Sequence, residues 1–398
     1  MPEFGLVALL RSVGVSFVGL GMFARIPPVM LSLGLTLYGY AQLNSFAAAG
    51  SIVAGVALGT AVGGPLVGAA ADRWGQRRAG IVAATVTTVA LLVLVLMLRP
   101  GTGLGWLVAL ALLTGAGNPQ VGAMARSRWV AQSRRHDDRA RYSGVAMAYE
   151  GAIDEAAFVV GPVSVSLLTL LHPLAGLGTA LVLGLLLPMA FAVHPTALPP
   201  GRTHQLSDSE PVRVPWLRLV PAGMVCAAIG VIFGSSSTGI TAWLTGLGLG
   251  GWTGIVYGAM GVGSALSGLA TTRIPVGFGQ GRRLVVFGTG LLVVSPGLAL
   301  AGSPGLLALA CFLCGCCLAP ALIAAFAIGE QRSPLAQIST VMTVLGTCVT
   351  VGVATGSSLG GVLVDIRGAR SALLLPILAA AVAALSGLIN RKLARSRG

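Results

Sequence analysis

Three carboxylates, Glu150, Asp154 and Glu155, stand inside a stretch, 142–171, that is otherwise almost wholly apolar. An arginine, Arg25, stands in a second such stretch, 12–35, and Pro27 and Pro28 follow it closely. Counted inward from Arg141 at about 1.5 Å per residue, the acids lie at roughly 13–21 Å, mid-depth in a hydrocarbon core about 30 Å thick. Each charge there costs on the order of 2.5–3.5 kcal/mol, so it faces a cavity or a partner. Glu150 and Asp154 are four residues apart and share a helix face, whereas Glu155 is turned by about 100° from Asp154. Arg25 is the expected counter-ion, at a point where the prolines bend or open its helix. One cation against three acids leaves an expected local charge of −2. At least one acid is then expected to exchange a proton near neutral pH, which is the chemistry of proton coupling; cation binding is also open to it. A structural network tying the first stretch to the fifth is the other reading of the same residues.

The composition dictates what must hold these charges. Of 398 residues, 55% are hydrophobic and 9% charged, and the mean hydropathy is +0.89. Soluble proteins carry about 25% charged residues, so a water-soluble fold is excluded. Disordered and collagen-like classes fail on charge and on period. Twelve candidate spans run approximately 12–35, 42–70, 79–98, 104–125, 142–171, 175–193, 217–244, 251–272, 284–301, 304–328, 337–363 and 371–390. Their apolar runs are continuous rather than alternating, which selects helices over a β-barrel. The expected fold is an all-α membrane protein.

The net charge of +14 suggests a nucleic-acid partner until the basic residues are located. Twenty of the 25 Lys and Arg fall on one set of alternate loops or beside them: 72–78, 126–141, 194–216 with Arg218, 273–283, 329–336 and the tail. The opposite loops hold only Arg99, Arg367 and Arg370. That bias puts both termini in the cytoplasm and makes the charge a topology signal, not a nucleic-acid site. No cleavable leader is expected before the first span, since no compact basic start and small-residue cleavage site stand out. Arginine outnumbers lysine 24 to one, as in a GC-rich bacterial genome.

The long polar stretch His194–Pro215 divides the chain into a six-helix bundle (1–193), a cytoplasmic central loop (194–216) and a second bundle with a basic tail (217–398). A repeat is expected between them. Gly68, Asp72 and Arg73 are echoed by Gly268, Thr272 and Arg273 at an offset of 200, and Gly115 with Pro119 by Gly315 with Pro320. Parallel repeats of this kind place a site between the halves, near mid-depth.

Gly68, Asp72, Arg73, Gly75, Arg77 and Arg78 form Gly-x-x-x-Asp-Arg-x-Gly-x-Arg-Arg in the first basic loop. This resembles the signature between the second and third helices of the major facilitator superfamily, with Gln76 where a basic residue is common. The resemblance implies two pseudo-symmetric six-helix bundles that rock about a central site, with the first and fifth helices as neighbours. It also implies a cytoplasmic gate in which Asp72 helps to hold the outward-facing state, and in which Gly68 and Gly75 permit close approach and a sharp turn. Two features depart from the family's drug:proton antiporters. No arginine lies between Leu107 and Met124 in the fourth span, and Gly161-Pro162 is followed by Val-Ser-Val-Ser instead of further glycines.

Polar residues in spans that line the cavity in relatives are the substrate-binding candidates: Asn118 and Gln120 in the fourth, Ser236 and Thr238 in the seventh. Gln42 and Asn44 are polar positions in or near the second. Trp106, Trp243 and Trp252 are expected in one interfacial belt, Trp129 and Trp216 in the other. The six cysteines lie in apolar runs without histidine nearby and read as buried thiols, with no metal site. There is no Walker loop, the four histidines are dispersed, and Gly356-Ser357-Ser358-Leu359-Gly360 lies inside an apolar span, where a nucleophile elbow does not form. No enzyme and no cofactor is expected. The expectation is a monomeric, proton-coupled transporter in the cytoplasmic membrane, exporting a small organic compound, with protons, substrate and lipid bilayer as partners. Uptake of a polar metabolite is the alternative, and a non-transporting receptor or enzyme a third.

Overall fold

A computed structural model describes residues 13–133, 139–200, 215–273, 275, 278–333 and 338–395. Among them, twelve segments are long and apolar enough to cross a membrane. The first six are α1 (Val15–Leu43), α2 (Phe46–Trp74), α3 (Gln76–Met97), α4 (Leu104–Ser133), α5 (Val145–Thr169) and α6 (Ala175–Val193). The second six are α7 (Trp216–Gly246), α8 (Gly250–Ala270), α9 (Gln280–Leu300), α10 (Pro304–Gln331), α11 (Thr340–Arg367) and α12 (Ala369–Arg391). They follow the spans read from the sequence, with two informative differences. α1 continues to Leu43 and is closed by Asn44 in the left-handed conformation (φ 50°), so Gln42 and Asn44 end the first span and do not begin the second. α4 continues to Ser133, so Arg126 and Arg128, counted above as loop residues, are helical.

Both α1 and α4 are broken where prolines interrupt the backbone ladder. α1 divides into Val15–Phe23 and Ile26–Leu43 at Arg25, because Pro27 and Pro28 have no N–H to return to the preceding turn. α4 divides after Ala116 and resumes at Val121, across Asn118-Pro119-Gln120. Free carbonyls at such breaks are tolerated only inside protein or beside a cavity.

The two bundles are built around equivalent glycine crossings. A Cβ on Gly59 would strike the carbonyl of Leu112, and one on Gly115 the carbonyl of Val56, so α2 and α4 touch backbone to backbone. Gly263 faces the carbonyl of Phe312, and Gly315 that of Met260, in the same way between α8 and α10. Gly115 to Gly315 is the expected step of 200, but Val56 to Met260 and Gly59 to Gly263 are steps of 204. The glycines that cap the following helices, Gly75 before α3 and Gly279 before α9, also stand 204 apart. The pairing of Gly68-Asp72-Arg73 with Gly268-Thr272-Arg273 is therefore one helical turn out of register. Contact between small residues sets a helix crossing, and loop residues that merely look alike do not.

Between the bundles, α5 lies along α8 and α2 along α11. Gly254 abuts Pro162, Gly258 abuts Val163 and Gly261 abuts Val159; towards the basic loops, Ser264 reaches Glu155. One turn beyond Glu155, a Cβ on Gly151 would meet nothing within 4 Å. On the other seam Gly50 abuts the carbonyl of Ser357, and Gly361 that of Phe46. The Gly-x-Ser-x-Gly segment is this crossing, with Gly356 set against the backbone of Val231 in α7.

Asp365, in the last turn of α11, closes the end opposite the basic loops. Its carboxylate accepts the Ser45 hydroxyl (2.6 Å) and the N–H groups of Phe46 (2.9 Å) and Ala47 (3.0 Å) at the start of α2. An anion there satisfies donors that have no intrahelical partner and meets the positive end of the helix. At the basic end, Asp72 makes no hydrogen bond or ion pair among the described residues, and a Cβ on Gly68 would meet nothing within 4 Å. The close approach expected of Gly68 is thus not made in this conformation, whereas Gly75 does form the sharp turn (φ 86°).

Gly115→Ala and Gly315→Ala should each lower the thermal unfolding midpoint, by overpacking worth about 1–3 kcal/mol, while Gly68→Ala leaves it unchanged. Asp365→Ala should cost about 0.5–2 kcal/mol, the loss of a helix cap. Scanning fluorimetry on detergent-purified protein checks all four; equal midpoints across the set would refute the crossing assignment.

Candidate functional site

The break in α1 turns Arg25 into the first bundle, where it is 6% exposed. Its guanidinium pairs with the carboxylate of Glu150 on α5, itself 1% exposed. The remaining Glu150 oxygen accepts the indole N–H of Trp129 on α4 at 2.8 Å. Arg25 Nε also lies 3.4 Å from Asp154 Oδ1, and the second Asp154 oxygen is paired with Arg126 on α4. Three helices therefore meet in one polar knot, α1 through Arg25, α4 through Arg126 and Trp129, and α5 through the acids.

Burial grades this knot from dry to wet. Arg25, Glu150 and Trp129 are sealed, whereas the side chains of Asp154 and Arg126 are 35% and 45% exposed. Two arginines balance two carboxylates, so the expected charge of −2 is corrected: Arg126 supplies the cation that the loop assignment had removed from the count. Glu155 stands apart, facing the second bundle, and accepts the Ser264 hydroxyl at 3.2 Å across the seam. Phe158, one turn beyond Asp154, stacks on Phe233 of the second bundle at 6.3 Å. The face of α5 turned towards the other half thus carries Glu155, Phe158, Val159 and Pro162, and Asp154 lies beside it, held by arginines of its own bundle.

A second polar knot holds the basic end of the first bundle. Gln76, 5% exposed, accepts Arg128 Nε–H at 2.7 Å and donates to the Ser127 hydroxyl at 2.8 Å. Arg128 also donates to the carbonyl of Phe191 (3.0 Å) and the hydroxyl of Thr196 (3.1 Å), and it lies over the Phe191 ring. A cation at position 76 would be driven against Arg128, which explains the uncharged residue at this point of the loop motif. Burial and the nearby Arg128 charge lower the pKa of the His194 imidazole from its ordinary value. Arg73, Arg77 and Arg78 remain exposed.

The substrate candidates are not gathered at the cleft. Asn118 lines a crevice inside the first bundle with Pro27, Thr88, Leu181 and Pro188. Gln120 turns back to the Asn118 carbonyl (3.2 Å) and packs beside Gly64 of α2. Ser236 is fully buried, and the Thr238 hydroxyl returns to the carbonyl of Gly234. In a helix a short hydroxyl side chain finds the carbonyl one turn back, a partner that polarity alone does not reveal. Trp129 is fully buried and therefore belongs to no interfacial belt, whereas Trp106 is 71% exposed. Arg126, Ser264 and Asp365 make these contacts, and the sequence reading did not single them out. For Arg126 a signal existed: Val121, Met124, Ala125, Arg128 and Trp129 form a buried helical stripe running past the assigned end of the span.

Removing one partner of a buried pair strands the other charge, at a cost of about 3–5 kcal/mol. Arg25→Gln and Glu150→Gln should lose that much stability, and Asp154→Asn distinctly less, because its side chain reaches water. Unfolding in detergent by a denaturant series measures this; equal losses for Glu150 and Asp154 would contradict the dry-to-wet grading.

Comparison with known proteins bears on the fold that holds these residues. A profile described as Major Facilitator Superfamily matches residues 9–356. No curated protein matches the chain. Among solved structures, the nucleoside transporter NupG superposes with a TM-score of 0.72 at 14% identity, covering 95% of this chain and 98% of its own. The POT family transporter PepTSo superposes at 0.67 and 13%, covering 97% and 98%. The human organic anion transporter MFSD10 superposes at 0.62 and 17%, covering 96% and 99%. At these identities the likeness concerns the fold alone.

Proposed function

The chain belongs to the major facilitator superfamily, and on that premise we propose that it is a proton-coupled transporter exporting a small organic compound. A multi-pass membrane protein with a transporter fold, it has the general form of a secondary transporter. The moving units in this reading are residues 1–193 and 217–398, joined by 194–216, in a monomer of the cytoplasmic membrane with both termini inside.

Glu155 is the observation that carries the coupling. Glu150 and Asp154 are held by arginines, whereas Glu155 meets a hydroxyl on the opposite bundle. A rocking motion that opens the α5–α8 seam parts Glu155 from Ser264 and changes the hydration of its carboxyl. Protonation free energy follows hydration and hydrogen bonding, so the proton affinity of Glu155 differs between the two conformations. By reciprocity, binding or loss of the proton biases the motion. Glu150 with Arg25 then serves as the fixed frame, and Asp72, with Arg73, Arg77 and Arg78, as the gate of the opposite conformation. Uptake of a polar metabolite is the second reading, favoured by the half-exposed Arg126–Asp154 pair.

Reconstitution into liposomes with a trapped pH dye tests this. Lipophilic cations and drugs, and separately sugars, amino acids and organic acids, are offered under an imposed pH gradient, with insertion direction fixed by protease cleavage of the tail. The expected result is solute-dependent proton movement that is lost in Glu155→Gln, while solute counterflow persists. Coupled movement undiminished in Glu155→Gln would remove this residue from the mechanism. Absence of counterflow for every solute would leave a receptor or enzyme.

A further inference from the structure

We infer that Arg126 is the anchor for an anionic group of the transported solute, a carboxylate or an equivalent oxyanion, which displaces Asp154 from it. This rests on the transport reading above but not on the direction of transport or on proton coupling. Asp154 is contacted by two arginines, one buried and one 45% exposed, so withdrawing Arg126 still leaves Asp154 beside Arg25 Nε at 3.4 Å. Glu150 needs nothing from Arg126, since Arg25 and Trp129 occupy both its oxygens. Arg126 is thus the member of the knot that can change partners without stranding a buried charge.

Its position suits that exchange. The close contacts between α5 and α8 run as far as Glu155 with Ser264, and Asp154 is the next residue towards the open space found at Gly151. An incoming anion meets a planar guanidinium with donors to spare, in a setting where water is already partly excluded. Its carboxylate replaces that of Asp154 like for like, so the charge on Arg126 stays neutralised throughout. Asp154, released on one side, becomes free to hydrogen-bond a donor group of the same solute. A site of this kind selects against neutral and cationic compounds, because neither replaces the carboxylate that must leave.

Binding to the purified full-length protein, without any gradient, tests the inference separately from transport. Short mono- and dicarboxylates, amino acids, neutral nucleosides and lipophilic cations serve as probes, read by thermal shift and by isothermal titration. Carboxylate-bearing probes should stabilise the wild type. Affinity should fall by about tenfold or more in Arg126→Gln, recover in part in Arg126→Lys, and stay unchanged in Arg282→Gln, an exposed position in the first turn of α9. Size-exclusion profiles establish that each variant is folded, and Arg126→Lys keeps the test decisive if Arg126→Gln is not. Unchanged carboxylate affinity in Arg126→Gln, or stabilisation only by neutral or cationic probes, would overturn the assignment. Retained carboxylate binding without proton movement in liposomes would instead overturn the coupling role of Glu155 and leave Arg126 standing.

Discussion

A charge sunk to mid-depth in a membrane has to find its opposite, and the first bundle is organised around that requirement. α1 is broken at Arg25, just before the double proline, and the guanidinium there is turned inward onto Glu150 of α5. Glu150 then fixes α5 against α1, and Trp129 fixes α4 against α5. Such a pair brings little net stability, since desolvation offsets the attraction, but it tolerates no misplacement. It therefore acts as a register mark for three helices, and the groups with a choice of partner, Asp154, Arg126 and Glu155, are arranged outward from it.

Outside this knot the helices are held by shape. Glycines let α2 meet α4, α8 meet α10, and the two bundles meet each other with backbones in contact. In lipid there is no hydrophobic force between helices, so close packing of small residues does that work. The two seams between bundles use the same device, but they end in polar contacts: Ser264 with Glu155, and Asp365 with the start of α2. Those contacts can be exchanged for water at modest cost, whereas the crossings within a bundle cannot.

Much of this was legible beforehand. Continuous apolar runs, the loop bias of arginine and the Asp72 motif identified a twelve-helix transporter fold, and Arg25 was matched to the fifth-span acids by depth and by the helix neighbourhood that the resemblance implies. The failures have a common origin in reading polarity as position. Trp129 was placed in a belt because tryptophan favours interfaces, yet its N–H was needed by Glu150. Asn118, Ser236 and Thr238 were offered as substrate contacts because they are polar on helices that line the cavity in relatives; in this conformation Asn118 lines a crevice of the first bundle and the Thr238 hydroxyl returns to its own helix. Arg126 was assigned to a loop because a charge ordinarily ends a span.

By itself the amino-acid order determined the number of helices and the existence of a charge cluster within the spans. Those follow from transfer free energy, which each segment carries irrespective of its neighbours. Only the tertiary structure decided which acid goes with which cation, that Glu155 and Asp365 reach across to the other bundle, and that the repeat of α2 runs at 204 and not 200. Those depend on how helices rotate and slide against one another, and that is set by contacts between residues far apart in the chain, which no local pattern records.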